Sequence, residues 1–229
     1  MRANRSLMRF MVWNLRWATR YAGFAARPIV RAYANVEVIA CGLRERDAGV
    51  AIIYSSAPGR MGHHARLYDD RRWRPVEAVR MADFSRPIVC RVLIPAARIG
   101  QRYRMGATNA LGWSMSSPTI TVKEATIYDP KLLTITPSSA ATVTFSWAAA
   151  EAYDPMVYFL AVDDGRGVNQ AAIYTRELSW TYPRTRTASL SLGPARPPRL
   201  TRGETYEAKL VLVDYQGWVS HIAERSFTI

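Results

Sequence analysis

The chain has 229 residues, of which 49% are hydrophobic, with 13 Pro, 13 Gly and a formal charge of +13. That apolar content excludes a disordered chain, and the density of Pro and Gly fits many short strands separated by turns. No apolar run reaches the length of about 18 residues that a membrane-spanning helix needs.

The charge is unevenly spread. Residues 1–35 hold seven Arg and no acid, residues 36–122 hold 13 basic and 7 acidic residues, and residues 123–229 hold 11 of each. A basic first half beside a neutral second half points to an acidic partner for the first. Codon usage is the competing explanation, because only Lys123, Lys131 and Lys209 are Lys and the other 28 basic residues are Arg.

Residues 1–35 read as a basic, aromatic segment. On a helical wheel Arg2, Arg5, Arg9, Arg16, Arg20 and Arg27 fall within about 60° of one another, and Leu7, Phe10, Met11, Leu15, Trp17 and Phe24 fill much of the rest. A helix is favoured, although Met11, Trp13, Leu15 and Trp17 also alternate as a strand would. The apolar run from Phe10 to Trp13 ends at Asn14, too soon for a secretory signal. Three meanings compete: an Arg-rich targeting peptide, a helix lying on a membrane surface, and an arm that docks the chain onto a larger assembly. The docking reading assigns partner contacts to Arg5, Arg9, Trp13, Arg16, Trp17 and Arg20.

Strand-like segments follow. Asn35 to Cys41 and Gly49 to Ser55 are the first, and Ile88 to Ile94 alternates with Ile88, Cys90, Val92 and Ile94 on one face and Arg91 on the other. Cys41 and Cys90 fall in one domain on this reading, as a disulfide or as two buried thiols. Later, Thr142 to Ala148 places Val143, Phe145 and Trp147 on one face and hydroxyls on the other. Met156 to Val162 is a nearly continuous apolar run that fits a neighbouring strand, and Asp163-Asp164-Gly165 marks a turn. Thr187 to Leu192, Glu207 to Asp214 and Arg225 to Ile229 supply further strands.

Two stretches share a plan. Gly100-Gln101-Arg102-Tyr103 precedes a strand that ends in a Gly112-Trp113 turn, and Gly203-Glu204-Thr205-Tyr206 precedes one that ends in Gly217-Trp218. Both resemble the end of a fibronectin type III domain, in which Gly-x-x-Tyr leads into strand F and a final strand closes the fold. The resemblance makes Tyr103 and Tyr206 tyrosine-corner residues and Trp147 the core tryptophan of strand B. The first half departs from the pattern, with Cys41 near the tryptophan position. The implied fold class is all-β: two tandem fibronectin type III-like sandwiches, residues 36–122 and 123–229, after the N-terminal segment.

Residues that carry chemistry are sparse. His63 and His64 are adjacent and would point to opposite faces of a strand, and no spaced His, Cys and carboxylate set suits zinc. Asp163-Asp164-Gly165-Arg166-Gly167 lacks the spaced acids of a calcium loop and reads as a hairpin turn. No nucleophile elbow or Cys–His arrangement stands out, so no enzyme, cofactor or metal is expected. One loop is unusual: in Asp69-Asp70-Arg71-Arg72-Trp73-Arg74-Pro75, Arg and Trp interleave. Arg71, Arg72, Trp73 and Arg74 could contact a protein partner or stack on bases and neutralise phosphates, or could simply form a hairpin with Trp73 packed on the sheet. The expected role is a non-catalytic structural or adhesion component of a large assembly, a bacteriophage virion above others. Nucleic-acid binding and an accessory subunit of a membrane or organellar complex are the alternatives.

Overall fold

The computed structural model describes residues 38–45, 49–56, 66–72, 74–81, 84–85, 89–108, 114–139, 142–148, 157–183, 190–191 and 197–229. The N-terminal segment, the histidine pair, Trp73 and Trp113 lie outside them.

The first half supplies β1 (Val38–Glu45), β2 (Gly49–Ser56), β3 (Arg66–Asp69), β4 (Val79–Arg80), β5 (Val89–Ile94), β6 (Arg102–Thr108), β7 (Ser114–Ser116) and β8 (Ile120–Thr121). They form two sheets, β1-β2-β5-β4 and β3-β6-β7, with β8 also paired to β6. The second half supplies β9 (Ile127–Tyr128), a 3-10 turn Pro130–Leu132, β10 (Leu133–Ser139), β11 (Thr142–Trp147), β12 (Val157–Asp164), β13 (Asn169–Thr175), β14 (Ser179–Tyr182), β15 (Leu190–Ser191), β16 (Thr205–Val213) and β17 (Val219–Thr228). Its sheets are β10-β11-β14 and β15-β13-β12-β16-β17-β9. Every described strand pair is antiparallel except β17 with β9.

These orders fit the fibronectin type III-like, all-β fold that the sequence implies. In the second half β10, β11 and β14 form the three-stranded layer, and β13, β12, β16 and β17 form the facing one. In the first half the fourth strand joins the other layer, as in an immunoglobulin constant-type sandwich. The strand B counterpart of β11 is therefore β2, and Cys41 sits one strand earlier, on β1. Val50, Ile52 and Tyr54 occupy the inward places that Val143, Phe145 and Trp147 hold on β11, so a tyrosine stands where the pattern has tryptophan.

The four sheets stack as four layers with three cores between them. The first core lies between β3-β6-β8 and the β1-β2-β5 sheet, around Ile52, Leu67, Met105 and Ile120. The last lies between β12-β13-β16-β17 and β10-β11-β14, where Phe145 stacks on Trp180 at 5.8 Å and meets Phe227 edge-on at 5.5 Å. The middle core joins the halves: Cys41, Leu43, Ala51, Ile53 and Val89 pack against Phe159, Ala161, Ala172, Val211, Val213 and Ile222. All eight residues of β12 are buried because both faces of that strand are covered, which explains the unbroken apolar run Val157 to Val162.

No disulfide joins Cys41 and Cys90. Cys41 pairs with Ile53 and Cys90 with Tyr54, so β2 separates them. Strands lie about 4.8 Å apart, and the two side chains point to opposite faces, well beyond disulfide reach.

Candidate interaction surface

The repeat recognised in the sequence returns in atomic detail. Gly203 has φ +83°, and its N–H donates to the Ile229 carbonyl at 2.7 Å. The Tyr206 hydroxyl then accepts the N–H of Thr201, five residues upstream, at 2.7 Å. In the first half Gly100 has φ +80° and donates to the Val122 carbonyl at 2.9 Å. Tyr103 reaches its own fifth upstream residue through an intermediary: its hydroxyl donates to Gln101 Oε1 at 2.8 Å, and that oxygen accepts the Arg98 N–H at 2.6 Å. Burial raises the Tyr103 phenol above its ordinary value, with the Asp69 charge adding to the effect. These tyrosines are corner residues.

Two hairpin turns also match. Asp164 Oδ1 accepts the N–H groups of Arg166 and Val168, both at 2.9 Å, and Gly167 takes φ +73°. Asp214 Oδ1 accepts those of Gln216 at 2.8 Å and Trp218 at 3.0 Å, and Gly217 takes φ +69°. Each aspartate fixes its own turn through Oδ1. Burial alone would raise the Asp164 carboxyl, but the hydrogen bonds from Val168 and Arg166 outweigh it and hold the group below its ordinary value. The segment read as a hairpin turn rather than a calcium loop is a hairpin turn.

The Arg-rich loop between β3 and β4 is built on the same economy. Asp69 Oδ1 accepts the N–H groups of Arg71 and Arg72, both at 2.9 Å, and the Asp69 N–H donates to the Arg74 carbonyl at 3.0 Å. Asp70 turns the other way, to the outer face of the sheet, where it meets Arg104 Nε and lies 3.0 Å from an Arg102 guanidinium nitrogen. Both acids of the loop are thus consumed internally. Arg71, Arg72 and Arg74 are exposed and make no ion pair among the described residues. Arg66 is exposed on the same sheet. The structure brings together three of the loop's four sequence-predicted contact residues; Trp73 and the N-terminal Arg5, Arg9, Trp13, Arg16, Trp17 and Arg20 lie outside the described residues.

The opposite end of the stack differs in kind. The outward face of β10-β11-β14 carries Thr134, Thr136, Thr142, Thr144, Ser146, Ser179 and Thr181, with no charged side chain from these strands. Thr144 and Thr181 share a hydroxyl hydrogen bond at 3.1 Å.

Sequence reasoning missed a buried polar cluster in the middle core. Ser85 Oγ donates to Asp163 Oδ1 at 2.6 Å, and Asn169 Nδ2 donates to Ser85 Oγ at 2.9 Å. Lys209 Nζ lies 3.3 Å from Asp163 Oδ2 and donates to the Phe84 carbonyl at 3.1 Å. A serine, an acid and a lysine also occur in catalytic sites, but Asp163 is 0% exposed and Ser85 1%. The hydroxyl proton is held by the carboxylate, and the cluster ties the halves together as a buried latch. Its members are far apart in the sequence, and the one signal available was a second aspartate, beside Asp164, within a strand buried on both faces.

No protein-family model and no curated protein matches the sequence. Among solved structures the chain is similar to the fibronectin(III)-like modules of Clostridium thermocellum CbhA, at 12% identity and a TM-score of 0.28, over 78% of this chain and 85% of that one. It is also similar to a two-domain fibronectin type III segment of chicken tenascin, at 14% identity and a TM-score of 0.30, over 85% of this chain and 98% of that one. A third likeness is to the FN1-FN3 domains of chicken CNTN1, at 11% identity and a TM-score of 0.31, over 83% and 66% of the two chains. The fold assignment rests on strand order and corner geometry, not on these superpositions.

Proposed function

We propose that the chain is a non-catalytic structural component of a large assembly, docked on an acidic protein neighbour through the basic side of its first half. The observation that carries this reading is the Arg loop: Asp69 is held by the backbone N–H groups of Arg71 and Arg72 and Asp70 pairs with Arg102 and Arg104, which leaves the Arg71, Arg72 and Arg74 side chains presented outward with no ion pair among the described residues. Arginine suits the task, because its planar fork pairs bidentately with carboxylates and it is enriched in protein interfaces. In this reading residues 36–122 and 123–229 are two sandwich modules, and residues 1–35 are a second docking element bearing Arg5, Arg9, Trp13, Arg16, Trp17 and Arg20. The proposed setting is a bacteriophage virion, as a head-decoration or tail protein, where fibronectin-like modules serve in structural and adhesive roles.

The test is binding of the full chain to immobilised polyglutamate and to duplex DNA across a salt series. The expected result is binding to polyglutamate that falls at least tenfold in the Arg71→Glu/Arg72→Glu/Arg74→Glu variant, since each rim charge reversal costs on the order of 1 kcal/mol. Tighter binding to DNA, with log affinity falling steeply and linearly with log salt, would replace the acidic-protein reading by nucleic-acid binding on the same loop. Unchanged binding of the variant to both would remove the loop from the docking surface.

A further inference from the structure

We infer that the chain works as a rigid standoff: one co-folding block that holds the uncharged hydroxyl face of β10-β11-β14 at a fixed distance from the Arg loop side. The docking end of this statement rests on the function proposed above; the rigidity does not.

Three independent features carry it. The middle core gives each half a second buried face, so neither half completes its burial alone. Separating them would expose Phe159, Val211, Val213 and Ile222 on one side and Leu43, Ile53 and Val89 on the other, and returning that apolar surface to water is strongly unfavourable.

The second feature is a plug. Trp218 leaves the β16-β17 turn and enters the first half's core, where it is 1% exposed. Its indole Nε1 donates to the Ala125 carbonyl at 2.8 Å, and the Gly42 N–H donates to the Gly217 carbonyl at 2.9 Å. A Cβ at Gly42 would lie 2.7 Å from Ile120 and 3.1 Å from the Trp218 ring, so the fit requires glycine.

The third feature is the connection itself. Residues 123–128 would have to act as a hinge between independent modules, yet they are fixed from both sides. The Arg44 N–H donates to Thr126 Oγ1 at 2.9 Å, Thr126 Oγ1 donates to the Val219 carbonyl at 2.8 Å, and the Tyr128 hydroxyl donates to the Arg44 carbonyl at 3.2 Å. Lys123 Nζ meets the Asp214 carboxylate, and its carbonyl accepts from an Arg44 guanidinium nitrogen at 3.2 Å. Ile127 and Tyr128 then pair with β17. The four layers, each about 10 Å from the next, set the outer sheets roughly 30 Å apart.

Hydrogen exchange of the full chain tests this. Ile52 touches only the first core and Leu210 only the last. For one block, Ile52→Ala and Leu210→Ala each lower amide protection in both β2 and β16 by a similar factor, on the order of a hundredfold. Loss confined to the half that carries the substitution would overturn the inference. Should either variant fail to fold, Ile52→Val and Ile173→Val give the same comparison with a factor of about 3–10. The Arg71→Glu/Arg72→Glu/Arg74→Glu variant leaves protection unchanged in every strand. If the coupling holds and that variant binds normally, the docking reading falls and the block remains.

Discussion

Lys209 and Asp163 face each other across 3.3 Å at the boundary between the halves, and Lys209 also donates to the Phe84 carbonyl at 3.1 Å. One ammonium on β16 therefore ties the second half to the loop before β5. Desolvation raises the Asp163 carboxyl above its ordinary 3.8, against the lowering effects of Ser85, Lys209 and Asn169. Removing one member of a buried ion pair strands the other charge, so Lys209→Met is expected to cost about 3–5 kcal/mol in urea unfolding. Asp163→Asn/Lys209→Met removes both charges and is expected to recover most of that loss. A double variant as unstable as Lys209→Met would show that the charges themselves hold the halves together.

His221 supplies a pH dependence of known sign. Burial pushes its imidazole below the ordinary 6.5, with the Asp129 charge opposing. Between the folded value and 6.5 the unfolded chain binds the ring proton more readily than the folded one, so stability rises with pH through that interval and levels off above it. Replacing His221 with Gln is expected to flatten this part of the stability–pH curve, read by thermal unfolding between about pH 5 and 8. An unchanged slope would assign the dependence to another group.

Asp70 is predicted to matter for stability, unlike the arginines beside it. Its carboxylate serves Arg104, whose side chain is only 9% exposed, as well as Arg102. Asp70→Ala is expected to cost about 3–5 kcal/mol because it removes the carboxylate from a buried guanidinium. Arg71→Ala, Arg72→Ala and Arg74→Ala are each expected to stay within about 0.5 kcal/mol of the parent. Denaturant midpoints at constant m-value check both.

Two glycines separate crowding from backbone strain. Gly42→Ala would press a methyl group into Ile120 and Trp218 and is expected to cost about 1–3 kcal/mol through overpacking. Gly203 has nothing within 4 Å of a Cβ, so Gly203→Ala pays only for its φ of +83°, about 1–2 kcal/mol. Trimming Trp218 to Leu is expected to relieve the first substitution and leave the second untouched, as a double-mutant cycle would report.

Cys41 should be chemically silent in the folded protein. It is buried in the middle core, and burial, with the Asp214 charge adding to it, pushes the thiol far above its ordinary range. Alkylation followed by peptide mass mapping is expected to modify Cys41 only under denaturing conditions. Modification at native rates would mean that the middle core opens.

The fold was legible where one face of a strand meets water. Val143, Phe145 and Trp147 alternate with hydroxyl residues because the outer face of β11 is solvated, and the Gly-x-x-Tyr pairs announced corners that the backbone then formed. It was less legible where both faces are covered. The run Val157 to Val162 reads as a strand, but nothing in its own sequence distinguishes a partner sheet within its sandwich from one contributed by residues a hundred positions away. The position of Cys41 was misjudged for a related reason: on a sheet covered on both sides, β1 and β2 carry similar apolar residues, and strand B cannot be singled out by alternation. The Arg loop was legible as a cluster of cations. That its acids are already spent was not, because Arg102 and Arg104 lie some thirty residues downstream of Asp70.

The face-to-face stack also constrains how such a chain can change over time. Modules strung end to end can be duplicated, deleted or exchanged by recombination, since each keeps a finished surface. Here a newcomer in place of either half would have to match the outward apolar face of the other, admit the Trp218 ring and accept the connection between Lys123 and Tyr128. Relatives are therefore expected to inherit the two halves together, and compensating pairs of substitutions should concentrate on Leu43, Ile53, Phe159 and Val211, where each half serves as part of the other's interior.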